Sequence, residues 1–167
     1  MSLNTLEIIS NSVDETVAVG IQLGALLLAG DVVCLAGDLG AGKTALMTGI
    51  GKGWDALEPV NSPTFVFVHE HHRANDDTRL YHLDCYRLSS EADAISIGLD
   101  ELLAGRDVVV LEWPERVSSF LPPDCLWVDL QPLDDADQRR LILRATGTRA
   151  AKLLTDLKSA LDSGSEK

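Results

Sequence analysis

The chain has 167 residues, 46% of them hydrophobic, and a formal net charge of −12 from 26 acidic and 14 basic side chains. That length suits one domain with a real core, and the acidic balance argues against gripping bare tRNA or DNA without a local basic patch or a partner's surface. No N-terminal stretch reads as a signal peptide, and the longest apolar run, Ala25 to Ala29, is too short to span a bilayer. Cys34, Cys85 and Cys125 are odd in number, widely spaced and embedded in strand-like runs, so reduced buried thiols and a cytoplasmic location are expected.

Ser12-Val13-Asp14-Glu15 reads as a capping box, and Val17, Ile21, Leu23, Leu26 and Leu27 then supply an apolar helix face up to Gly30. Asp31 to Ala36 is a short apolar run suited to a buried strand. Directly after it, Gly37-Asp38-Leu39-Gly40-Ala41-Gly42-Lys43-Thr44 fits the phosphate-binding pattern G-x-x-x-x-G-K-[ST] at every specified position. The glycines let backbone N–H groups crowd a phosphate; Lys43 offers a point charge to the β and γ phosphates and Thr44 a hydroxyl to Mg²⁺. The helix that follows places its N-terminus at the same spot. It is expected to end near Gly49, Gly51 and Gly53, and Trp54 to Asn61 to form a connection.

Ser62-Pro63-Thr64 opens an extended run, Phe65 to Glu70, and Arg73 to Thr78 forms a turn before Leu80 to Tyr86, which predicts an antiparallel hairpin. Alternation sets His82, Asp84 and Tyr86 on one face of its second strand. Helix starts follow at Ser89 to Asp93 and at Leu99 to Ala104. Asp107 to Glu112 has the form of a parallel strand covered on both faces with an acid at its carboxyl end, the side on which ligands of open α/β sheets sit. Trp113-Pro114 ends it. Two late strands, Leu126 to Leu130 and Arg140 to Ala145, precede a closing helix from Ala150 to Leu161 and a frayed tail from Ser163 to Lys167. The fold class is thus a single α/β domain over residues 1–162, with a mixed, mainly parallel sheet covered by helices and a hairpin inserted in it.

Glu112 has the position of a Walker-B-type acid that holds the metal or orients water. Asp84, midway along Leu-Asp-Cys-Tyr, needs a cation, a metal or solvent, and Arg87 offers a plain salt bridge instead. Thr64 after Ser-Pro has the chemistry of a switch-loop threonine, or of an ordinary strand start. The histidines at 69, 71, 72 and 82 lack the close ligand pairs of a zinc site and read as a solvated edge or partner surface. Spacing leaves open which acid holds metal and which orients water, and leaves hydrolysis, small-molecule phosphorylation and nucleotide sensing as competing uses of the loop.

With the phosphate loop, Ser62-Pro63-Thr64-Phe65, Tyr81-His82-x-Asp84-x-Tyr86-Arg87-Leu88 and Glu112-Trp113-Pro114 in this order, nearly the whole chain resembles the TsaE (formerly YjeE) family. The resemblance implies a P-loop fold, Mg²⁺-dependent ATP hydrolysis and support of threonylcarbamoyl modification of adenosine in ANN-decoding tRNAs, in a complex with the partner proteins TsaB and TsaD. Contact with tRNA is then through those partners. It implies Lys43 as the phosphate lysine; Thr44, Asp84 and Glu112 as metal-site residues; Leu39, Gly40, Ala41, Gly42 and Ala45 around the phosphates; and Thr16 bordering the nucleotide. Thr64 and Trp113 match mobile-loop positions. Gln138-Arg139 stands where the family often has Gly-Arg, which sets Arg139 among the nucleotide-site residues with a departure at 138.

Overall fold

The computed structural model describes residues 3–38, 40–59 and 68–165. Among these residues, seven strands form one mixed sheet in the order β1-β7-β6-β2-β5-β4-β3. The central strands β6 (Leu126–Pro132), β2 (Val32–Ala36), β5 (Val108–Glu112) and β4 (Leu80–Asp84) run parallel to one another. Antiparallel strands flank them: β7 (Arg139–Ala145) and β1 (Thr5–Ser10) on one side, β3 (Val68–His71) on the other. Every residue of β5 is buried, as its unbroken apolar run requires. The expected hairpin is β3 and β4, with Phe65 to Phe67 of its first run outside the described residues; because β4 also pairs in parallel with β5, the hairpin forms one edge of the sheet.

Helices α1 (Val13–Leu26), α2 (Lys43–Gly53) and α5 (Thr148–Ser165) cover one face, around a core that includes Leu23, Leu35, Leu46, Val110 and Leu154. Short helices α3 (Glu91–Ser96) and α4 (Leu99–Ala104), with a 3₁₀ segment at Pro114–Phe120, cover part of the other face over Cys34, Leu83, Val109 and Leu111. Among the described residues, no helix is long and apolar enough to cross a membrane.

Two local expectations change: strand β1 was not foreseen, and α5 runs from Thr148 to Ser165 where a helix from Ala150 to Leu161 was expected. Helix α2 ends at Gly53, within the range where its end was expected. The cap of α1 also differs in detail: the Ser12 side chain accepts from the Glu15 N–H, but Glu15 Oε2 accepts from the Asn11 N–H at 2.6 Å rather than returning to Ser12.

The helix glycines have a packing reason. A Cβ at Gly20 or Gly24 of α1 would overlap the carbonyl of Leu46 or Ile50, and one at Gly49 or Gly53 of α2 would overlap that of Val17 or Ile21. The two backbones therefore touch, and the packing outweighs the loss of about 1 kcal/mol that each glycine brings to a helix. Gly49→Val is expected to destabilise the protein by about 3 kcal/mol, lowering the thermal midpoint by roughly 6–12 °C, as checked by calorimetry.

All three cysteines are free and buried. A hydrogen bond with Cys125, together with burial, pushes the pKa of the Cys34 thiol up, the same bond lowers that of Cys125, and burial pushes Cys85 up to about 12. Burial keeps all three sulfurs away from a reagent in solution. Maleimide is thus expected to leave the native protein unlabelled over a time in which it labels all three cysteines of the unfolded chain, read by intact mass.

Candidate functional site

Strand β2 hands the chain to the phosphate loop, and the loop hands it to α2, so the carboxyl end of β2 and the N-terminus of α2 frame one spot. Gly37, Gly40 and Gly42 take φ values of 141°, 80° and 106°, a backbone that L side chains resist. At Gly37 a Cβ would also come within 2.7 Å of the Leu130 carbonyl. Lys43 begins α2 and is 6% exposed, while Thr44 beside it is exposed and Ala45 half-buried. The Lys43 ammonium donates to the Gly37 carbonyl at 2.6 Å and lies 3.8 Å from the centre of the Trp113 ring. Burial lowers its pKa below the ordinary lysine range, while the carboxylates of Glu112, Asp84, Glu115 and Asp38 pull it upward.

The two acids arrive on neighbouring strands. Asp84 ends β4 and Glu112 ends β5, and the two are register partners. They share the face of Leu80, Val108 and Val110, which is the α2 side of the sheet. Asp84 is half-buried, and its Oδ1 accepts from the Tyr86 N–H at 3.0 Å. Glu112 is only 5% exposed and its Oε2 lies 2.8 Å from His82 Nε2.

Trp113 follows Glu112 at φ 57° and ψ 51°, a left-handed conformation that costs a bulky residue roughly 1–2 kcal/mol. That turn swings its ring over Lys43 and against Tyr86, with ring centres 5.0 Å apart. Gly37, Trp113 and Glu115 also border a cavity of about 600 Å³ on the other face of the sheet, lined as well by Trp127, Asp129 and Arg144.

Two predicted nucleotide residues have bonding partners within the protein. Arg139 donates from Nε to the Ala41 carbonyl at 2.9 Å and from Nη2 to the Gly40 carbonyl at 3.1 Å, and its Nη1 donates to the carbonyls of Ala136 and Gln138. It therefore fastens the start of β7 to the phosphate loop. Thr16 is buried in the first turn of α1, with its hydroxyl 2.7 Å from that of Ser10 and donating to the Ser12 carbonyl. Leu39 and Thr64 lie outside the described residues.

The histidine reading needs correction at one position. His82 is fully buried and bonded to Glu112, so it belongs neither to a solvated edge nor to a partner surface. Its contact with the strand-end acid was available in the sequence only through the pairing of β4 with β5.

Among the described residues no group of three or more His, Cys, Asp or Glu is arranged to hold a metal ion by itself. The donor set still suits magnesium. Thr44, Asp84 and Glu112 offer hard oxygens from one hydroxyl and two carboxylates, and Mg²⁺ is commonly held by one or two carboxylates together with the substrate's phosphates and water.

The family model described as threonylcarbamoyl adenosine biosynthesis protein TsaE matches residues 10–142. The tRNA threonylcarbamoyladenosine biosynthesis protein TsaE of Treponema pallidum is 39% identical over 130 residues, covering 78% of this chain and 94% of the relative. The Bacillus subtilis protein of the same name is 37% identical over 145 residues, covering 86% of this chain and 88% of the relative. The crystal structure of Bacillus subtilis YdiB matches with a TM-score of 0.77 at 30% identity, covering 96% of this chain and 97% of that one.

Proposed function

The chain belongs to the TsaE family of threonylcarbamoyl adenosine biosynthesis proteins, and from that premise we propose that it is a magnesium-dependent ATPase serving threonylcarbamoyl modification of adenosine in ANN-decoding tRNAs. The observation that carries the reading is the placement of Asp84 and Glu112, register partners at the ends of β4 and β5, with β5 beside β2, whose end leads into the loop that carries Lys43. A phosphate loop alone binds a nucleotide; two acids beside it supply what water attack needs.

Loop amides and Lys43 bind the β and γ phosphates and stabilise the charge that develops as the phosphoryl group transfers. Magnesium, when held by Thr44 and a carboxylate, would neutralise phosphate charge. The other carboxylate orients the attacking water. Trp113, now over the Lys43 ammonium, yields that side of the cation as the phosphates take the place of its ring and of the Gly37 carbonyl. Arg139 holds the loop in shape through the Gly40 and Ala41 carbonyls. Arg139→Ala is expected to weaken ATP binding about tenfold by loosening those two charge-assisted bonds, as measured with a fluorescent nucleotide.

Partners of the TsaB and TsaD type complete the reading. The sequence supplies no evident arginine finger, and the arginine bonded to the loop has its guanidinium occupied by four carbonyls. Such a site is slow until something else contributes transition-state charge. The test is ATP hydrolysis by the purified protein with and without TsaB, TsaD and tRNA. Slow basal turnover and clear stimulation are expected; fast turnover by the protein alone would count against the coupling.

A further inference from the structure

We propose that His82 is a positioning residue for the ATPase reaction: its Nε2–H holds one oxygen of Glu112, so that the other is presented to the metal or the attacking water. The proposal rests on the ATPase reading above.

The register puts both groups on one face. His82 partners Val110, Asp84 partners Glu112, and the imidazole therefore sits one pleat behind the acid. It is 0% exposed, and its Nε2 meets Glu112 Oε2 at 2.8 Å. A carboxylate oxygen can only accept, so the bond places the N–H on Nε2. Nδ1 is buried and has no hydrogen-bond partner among the described residues. A histidine that merely filled the core would leave both nitrogens to be explained, and an apolar residue of similar volume would fill it without that cost. The Nε2 bond is the feature that accounts for an imidazole here.

Its effect on Glu112 is geometric. A glutamate at a strand end has three side-chain torsions, and a carboxylate can bind metal through one oxygen or both. Packing fixes His82, which holds Oε2 and leaves Oε1 as the reactive oxygen. Outer partners of this kind set the orientation of ligating carboxylates, and their loss typically costs about 10–100-fold in metal affinity or activity.

The experiment compares the full chain as wild type, His82→Leu, His82→Gln and His82→Asn, with hydrolysis measured under partner conditions that support wild-type turnover. The glutamine amide nitrogen reaches approximately where Nε2 lies; that of asparagine reaches only to the place of Nδ1. Leu and Asn variants are expected to lose about 10–100-fold in kcat and to need more Mg²⁺ for half-maximal rate, while Gln retains most activity. Affinity for a fluorescent ATP analogue in EDTA should stay within about twofold of wild type in all of them, because metal-free binding does not use Glu112. A Leu variant with wild-type kcat and Mg²⁺ requirement overturns the proposal, and so does Gln performing no better than Asn. If circular dichroism shows that Leu does not fold, the Gln and Asn comparison decides. Wild-type protein that neither binds nor hydrolyses ATP in the presence of its partners would overturn the ATPase reading and this one together, an outcome separate from a failure confined to the variants.

Discussion

Lys43→Ala is expected to lower the rate of ATP hydrolysis at saturating nucleotide by roughly 10²–10³-fold, the loss seen when a single preorganised charge or donor is removed from a transition state. The expectation follows from where the ammonium is held. It is 6% exposed, at the first turn of α2, between the Gly37 carbonyl and the Trp113 ring. Burial disfavours the charged form, and the neighbouring carboxylates of Glu112, Asp84, Glu115 and Asp38 oppose that effect. A cation kept in so dry a place interacts with phosphate oxygens far more strongly than one in water. Lys43→Arg should restore little, because a planar fork cannot reproduce a compact ammonium between a carbonyl and a ring. Single-turnover hydrolysis separates the chemical step from weaker binding; a Lys43→Ala rate within about threefold of wild type would remove the lysine from the mechanism.

What the sequence disclosed here, and what it withheld, divides by the range of the interactions. The phosphate loop is a local signal: glycine positions, Lys43 and Thr44 lie within eight consecutive residues, and the strand before and helix after them are read from adjacent periodicity. Glu112 was legible for the same reason, since four apolar residues and an acid define both the strand and its tip. Strand β1 was not legible, because Thr5–Ser10 becomes a strand through pairing with Arg139–Arg144 far along the chain. The packing role of Gly49 and Gly53 was not legible either, because only when α1 is laid against α2 are they seen to face its backbone carbonyls. Arg139 could be placed near the nucleotide by resemblance, but its bonds to the Gly40 and Ala41 carbonyls depend on how β7 passes the loop. His82 is the clearest case. Four histidines in a polar stretch suggest a wet edge, and only the parallel register of β4 with β5 puts one of them in the core against Glu112.

Substitutions at Glu112 are expected to separate its charge from its packing. Glu112→Ala removes the acid and also leaves the buried His82 N–H without its acceptor. It should reduce hydrolysis by roughly 10²-fold or more and destabilise the fold by about 2 kcal/mol, or roughly 4–8 °C in the thermal midpoint. Glu112→Gln keeps an amide oxygen where His82 can donate to it, so its thermal midpoint should stay near that of wild type while hydrolysis falls as far as in the alanine variant. Asp84→Asn provides the control on the neighbouring strand, because Asp84 is half-buried and bonded to a backbone N–H rather than to a core side chain. Its Mg²⁺ dependence, compared with that of Glu112→Gln, identifies the metal-holding acid as the one whose loss raises the Mg²⁺ requirement more. In cells supplied only with Lys43→Ala or Glu112→Gln, threonylcarbamoyladenosine should be missing from tRNA by mass spectrometry of digested nucleosides. A Glu112→Gln protein that hydrolyses ATP normally would mean that the carboxylate charge has no part in the reaction. Glu112 would then be the hydrogen-bond partner of a core histidine, and the catalytic assignment would pass to Asp84.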